Sequence, residues 1–218
     1  MIKFIDIETE RTTSATDLII MVQTLVLGLL LVLDERTHCY KGYLWDSIFF
    51  CICATSLFGV IAHGFMMSKK TNEFFWKILT LLFSSVYILI FTAISYDLFG
   101  YSASLIALAA CLALGITLVV FCLKFPAFVP KIIFIGVGLG VFILAGYLYL
   151  FFKVKMAGAG FMLTAVILSF LAVIVEARQK FRIKIVWEFD HHSAYHFFQF
   201  LSNFALFFGT RIFFANLV

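Results

Sequence analysis

Seven separate runs of mostly apolar residues govern what this chain can become, because a helix needs about 20 such residues to cross a bilayer's hydrocarbon layer. They cover residues 15–33, 44–67, 74–96, 101–123, 132–152, 156–175 and 192–214. In lipid every backbone polar group has to be satisfied internally, so runs of this length read as helices. The predicted fold class is all-α: one domain, residues 1–218, built as a seven-transmembrane helix bundle. Composition points the same way. The chain is 64% apolar and 13% charged, whereas a soluble domain is about half apolar and a quarter charged. In water that much apolar surface would form aggregating patches.

The connectors are short except the one before the last run. Pro126 and Pro130 lie between the fourth and fifth runs, where they break no helix. Trp45, Trp76 and Trp187 stand at run ends and are predicted to be interfacial anchors. Residues 177–191 alternate basic and apolar side chains over much of their length and read as an interfacial segment. Gly136 and Gly140 form a GxxxG pair suited to close helix packing. Cys51, Cys53, Cys111 and Cys122 fall inside apolar runs and Cys39 in a loop, so no disulfide framework is implied.

Basic residues orient the bundle. Of 16 Lys and Arg, eleven fall in the N-terminal segment and the even-numbered connectors or their edges, from Lys3 and Arg11 to Arg182 and Lys184. The other five are Arg36, Lys41, Lys153, Lys155 and Arg211. The positive-inside rule then places the N-terminus, residues 1–14, in the cytoplasm and the C-terminus outside. The net charge of +4 reads as topology together with attraction to anionic headgroups. Nucleic acid is excluded as a partner, since no basic face outside the bilayer could carry it. Small loops and the lack of a secretory signal predict a multi-pass protein of a bacterial inner membrane. Membrane lipids are its expected partners, and no obligatory protein partner is predicted.

Ionisable groups inside a span cost about 2.5–3.5 kcal/mol at the helix centre, so each one calls for a reason. Asp17 begins the first helix, Ser56 and His63 share a face two turns apart on the second, and Glu73 precedes the third. The last helix opens with Asp190, His191 and His192 and carries His192, His196, Gln199 and Asn203 down one stripe. In the predicted topology Asp17, His63, Glu73, His192 and His196 share one depth near the cytoplasmic surface. Asp97 falls at the opposite surface. Two His at i and i+4 form a metal-ligand spacing, and His63 supplies a third imidazole from another helix. Three His with an open fourth position define a catalytic type of zinc site, in which a water reaches a pKa of about 7. A neighbouring carboxylate shuttles protons or orients ligands. Each residue also has a plainer reading. Asp17 and Glu73 suit a helix N-terminus, and Ser56, Gln199 and Asn203 suit interhelical hydrogen bonds.

The segments FGVIAHGF (residues 58–65) and FDHHSAYHFFQ (residues 189–199), with the early TTSATDLI (residues 12–19), resemble the CREST superfamily. That group includes alkaline ceramidases, the adiponectin-receptor and hemolysin III proteins, and GPI-anchor remodelling hydrolases. The same segments also look like an uncharacterised bacterial branch of it. The resemblance implies a zinc-dependent membrane hydrolase acting on a lipid amide or ester. It places the three zinc-binding histidines on His63, His192 and His196, with His191 in reserve for His192, and the acid after helix two on Glu73. Where that superfamily often has a Ser one turn before the helix-two His, this chain has Gly59, with Ser56 one turn deeper. Asp17, Glu73 and Ser56 are the expected catalytic residues. The contrasting readings are a non-catalytic sensor or a proton or metal transporter using the same cluster, and a structural membrane subunit.

Overall fold

The structure, a computed structural model, describes the backbone of residues 3–124, 132–184 and 187–216, and of these the side chains outside 118–137. Helix α1 (Glu8–Val32) begins with Glu8 and Glu10 in its first turn, where the positive end of the helix favours acids. It starts seven residues before the apolar run, so most of the predicted N-terminal lead is helical. Hydropathy marks only the apolar part of a helix, and the charged first turns escape it. Ile19, Val22, Val26 and Leu29 are exposed along one face of α1, while Ile20, Gln23, Thr24, Leu27 and Leu31 are buried along the other. An apolar face left bare on that scale suits lipid.

Asp34 caps a single 3-10 turn (Glu35–Thr37) and leads into α2 (Tyr40–Gly64). The carboxylate of Asp34 accepts from Arg36 at 2.7 and 2.8 Å and meets Arg211 at 3.3 Å. Hydrogen bonding to Arg36 holds its carboxyl down at about 2. Helix α3 (Lys69–Phe99) is capped by Ser68, whose hydroxyl accepts from the Thr71 amide at 3.2 Å. It ends on Gly100 with φ 84°, from which α4 (Tyr101–Lys124) departs directly. Helix α5 (Ile132–Tyr149) runs into a π turn over Leu150–Val154, and α6 (Ala159–Arg178) and α7 (His191–Ala215) complete the bundle. The GxxxG reading rests on Gly140, where an added Cβ would press on the Phe170 ring at 3.2 Å. The structural reading of Gly136, Pro126, Pro130 and Cys122 falls outside what is described.

The connector before α7 holds a strand pair, and one of the aromatic anchors is corrected. The segment read as interfacial contains a hairpin, β1 (Arg182–Lys184) paired antiparallel with β2 (Glu188–Asp190), in which Arg182 faces Asp190. Its basic–apolar alternation is the period-two signal of a strand. Trp45 is no interfacial anchor: it is 0% exposed and packs in the core with Ile48, Phe49, Tyr147 and Phe214. Trp76 and Trp187 are exposed.

Helix α1 packs on α2, α2 on α3, and α6 on α7, and α1 closes against α7. Five helices, α1, α2, α3, α6 and α7, are long and apolar enough to cross a membrane. The described parts of the other two contribute shorter apolar stretches, Tyr101–Thr117 and Gly138–Val154. Before α1 the chain runs back across the end of α2. Ile5 N–H donates to the Gly64 carbonyl at 3.0 Å, Met66 N–H to the Lys3 carbonyl at 2.9 Å, and Phe4 stacks on Phe65. At the far end of the bundle Lys41 of α2 forms a buried ion pair with Asp97 of α3, and its Nζ lies 2.9 Å from the centre of the Phe213 ring of α7.

The contact of α6 with α7 depends on Gly158. Its φ is 81°, and an added Cβ would fall on the Gly209 carbonyl. A left-handed backbone costs a non-glycine residue about 1–2 kcal/mol, and the clash adds to it. Gly158→Ala is therefore expected to lower the unfolding midpoint in detergent distinctly, which a thermal melt would show. An unchanged melt would contradict this packing.

A histidine and carboxylate cluster at one end of the bundle

The first turns of α7 are held by Asp190, whose Oδ1 accepts from the amide of Ser193 at 3.0 Å and its hydroxyl at 3.2 Å. That cap sets His191 and His192 in the first turn and His196 one turn on, facing α1, α2 and α6. His63 and, of the α7 stripe, His192, His196 and Asn203 each find a partner on another helix. His63 Nδ1 lies 2.6 Å from Glu10 Oε2. His192 Nδ1 lies 2.9 Å from Glu176 Oε1, in the last turn of α6. His196 Nδ1 lies 2.8 Å from the Thr16 hydroxyl. Deeper in the bundle, Asn203 Nδ2 donates to Gln23 Oε1 at 3.2 Å, and Gln23 Nε2 donates to the Phe200 carbonyl at 2.8 Å.

The tautomers follow from these partners. Thr16 has one hydroxyl proton and gives it to the Thr13 carbonyl at 2.8 Å, so its oxygen accepts from His196 Nδ1–H. The carboxylates of Glu10 and Glu176 likewise draw the proton of His63 and His192 to Nδ1. With the rings neutral this leaves the lone pair of each on Nε2, the arrangement in which oxygen partners fix metal-ligating histidines. His196 Nε2 faces Asp17 Oδ1 at 3.5 Å, and Asp17 Oδ2 is buried with no hydrogen-bond partner. Two acceptors opposed in a buried place repel unless a cation or a proton lies between them. The ring centres of His63 and His192 are 6.0 Å apart, and Trp76 packs edge-on to His63 at 5.1 Å.

The predicted residues divide accordingly. His63, His192, His196 and Asp17 converge at one end of the bundle, as their common depth implied. Gly59, one turn before His63, lies against Asp17 so closely that an added Cβ would overlap its carboxylate. Ser56 is buried one turn deeper on the same face of α2. Glu73 is exposed in the second turn of α3 and enters no hydrogen bond or ion pair among those described. Thr16, which stands beside Asp17 among the polar residues opening the first run, takes part, and Glu10 and Glu176 do so without having been singled out in the sequence. Glu10 stood among the charged N-terminal residues and Glu176 just past the sixth run, both at the depth already assigned to Asp17. His191 lies beside His192 with ring centres 4.5 Å apart. Among the described residues, Glu176, His191 and His192 offer ligand atoms that all lie within 4.8 Å of one another.

Several long apolar helices and a histidine and carboxylate cluster set into one end of them define a multi-span helical membrane protein with a candidate metal site. A family model described as a family of unknown function (DUF6962) matches residues 12–213, and the chain belongs to that family. No curated protein and no solved structure matches it.

Proposed function

We propose that this chain is a zinc-dependent hydrolase that cleaves an amide or ester bond of a membrane lipid, in the manner of the CREST superfamily its sequence resembles. The observation that carries the proposal is the opposition of His196 Nε2 to Asp17 Oδ1 at 3.5 Å, with Asp17 Oδ2 unpartnered. The donor types suit zinc: His63, His192 and His196 would hold it through Nε2, with Glu10 and Thr16 fixing two of the rings, and because among the described residues only Glu176, His191 and His192 already lie close enough to share an ion, binding would have to draw these three imidazoles together. Zinc there supplies a Lewis acid and a source of hydroxide at neutral pH. Asp17 accepts the proton of the attacking water and returns it to the leaving amine or alkoxide, as the new C–O bond forms and the C–N or C–O bond breaks. Ser56, buried one turn deeper on α2, is the hydroxyl proposed to donate to the developing oxyanion. Glu73 is a second proton acceptor only at the exposed edge of α3. With the N-terminus cytoplasmic, the site faces the cytoplasmic leaflet of a bacterial inner membrane. Beside it a cavity of about 320 Å³ is lined largely by apolar groups, among them Ile5, Ile7, Ala62, Phe65 and Met66.

Purified in detergent, the wild-type chain is expected to retain zinc and to hydrolyse an amide-linked or ester-linked fluorescent lipid. His63→Ala is expected to lose both the inner zinc and the hydrolysis. A variant that kept the two would overturn the assignment. One observation favours the sensor or transporter reading: polar pairs also occur halfway along the bundle, at Gln23 and Asn203, and at its far end, at Lys41 and Asp97. Movement of protons or zinc into liposomes, without lipid cleavage, would select it.

A further inference from the structure

The inner set of imidazoles leaves a second group unexplained. We infer that Glu176, His191 and His192 hold a divalent transition-metal ion of their own at the rim of the bundle, between the end of α6 and the start of α7. This goes beyond the hydrolase reading and does not depend on it.

Three independent features support the site. The first is reach: one ligand atom from each residue lies within 4.8 Å of the other two, the spread that a single ion with ligands at about 2.0–2.2 Å can draw together. The second is want of partners: Glu176 Oε2 and His191 Nδ1 are both shut away from solvent with no hydrogen bond. An orphaned acceptor beside an orphaned imidazole nitrogen is what a shared cation would satisfy. The third is placement. Glu176 occupies the last turn of α6, the negative end of a helix, where its charge is unfavourable unless a cation is close.

The local fold builds the group. The hairpin of β1 and β2 returns the chain from α6 to α7, pairing Arg182 with Asp190, and Asp190 then caps α7 so that His191 and His192 begin it. Two imidazoles and one carboxylate form a ligand set used for zinc and for non-haem iron(II). The half-buried rim leaves further positions to water or to a small oxygen ligand. His192 belongs to both sets: a rim ion takes its Nδ1 in place of the proton now shared with Glu176, and with an inner ion on Nε2 the ring bridges the two as an imidazolate, the proton leaving to solvent, so variants at 192 do not separate them.

The test is a zinc titration of stripped, detergent-purified protein against a chromophoric chelator, with no activity readout. Glu176→Gln and His191→Gln are near in shape to the native residues, and His63→Ala removes the inner set alone. Two zinc ions per wild-type chain are expected, falling to one in Glu176→Gln, His191→Gln and His63→Ala alike. The zinc that His63→Ala loses should persist in the two rim variants, which also shows that they remain folded. A single ion lost in the rim variants but kept in His63→Ala would uphold the rim site and remove the three-His reading. A single ion lost only in His63→Ala, or two ions unaffected by Glu176→Gln and His191→Gln, would overturn the rim site. No bound zinc at all would overturn both.

Discussion

Lys41→Ala is expected to destabilise the protein by about 3–5 kcal/mol, the usual consequence of stranding one partner of a buried ion pair. The side chains of Lys41 and Asp97 are 2% and 1% exposed, and Asp97 Oδ2 has no partner beyond the pair. Removing the ammonium leaves a buried carboxylate near Tyr147 with no other cation described near it. It also removes the charge that lies over the Phe213 ring and so ties α2 and α3 to α7. The double replacement Lys41→Met with Asp97→Leu takes away both charges and keeps most of the volume, so it should cost far less than Lys41→Ala alone. Unfolding in mixed micelles would measure the series. A Lys41→Ala protein as stable as wild type would show that the pair is solvated in the membrane.

Asp17→Asn is expected to cut lipid hydrolysis by about 10²–10⁴-fold, the range for loss of a general base. Asparagine preserves the shape beside Gly59 but cannot take a proton. Zinc content should stay at the wild-type level, because the ligands proposed are imidazoles. Glu73→Gln, by contrast, should leave the rate close to wild type, since Glu73 is exposed and unpaired among the described residues. Measured together, the two rates and the two zinc contents decide which carboxylate serves the reaction. Equal losses in both variants would return Glu73 to the site and require α3 to move.

The sequence carried the bundle plainly, because lipid leaves the backbone few alternatives and the apolar runs are long. It also carried the convergence of Asp17, His63, His192 and His196, since equal depth on one side brings residues from different helices together. What it missed has physical reasons. Hydropathy ends where charge begins, so the first turns of α1 and α3 were read as connectors, and Glu10 with them. Lys41 was counted as a surface charge, because a charge count by side cannot see that Lys41 and Asp97 neutralise each other. Trp45 was read from its position near a run end, yet the neighbouring turn packs tightly enough for Gly42 to abut the Thr37 backbone. The hairpin before α7 was written in the alternation of residues 178–188, but three-residue strands give too few repeats to be read from it.

The closure of α1 against α7 bears on how the molecule is made. Thr16 meets His196, and Gln23 meets Asn203, across 180 residues of chain in each case. At about 5–20 residues per second of translation, α1 waits roughly 10–40 s for these partners to emerge. During that interval the Asp17 carboxylate, the Gln23 amide and the Thr16 hydroxyl on its inner face lack their α7 partners. Until α7 arrives, those groups depend on α1's own backbone, on α2 or on water near the membrane surface, so the closure of α1 on α7 is a late step in assembly.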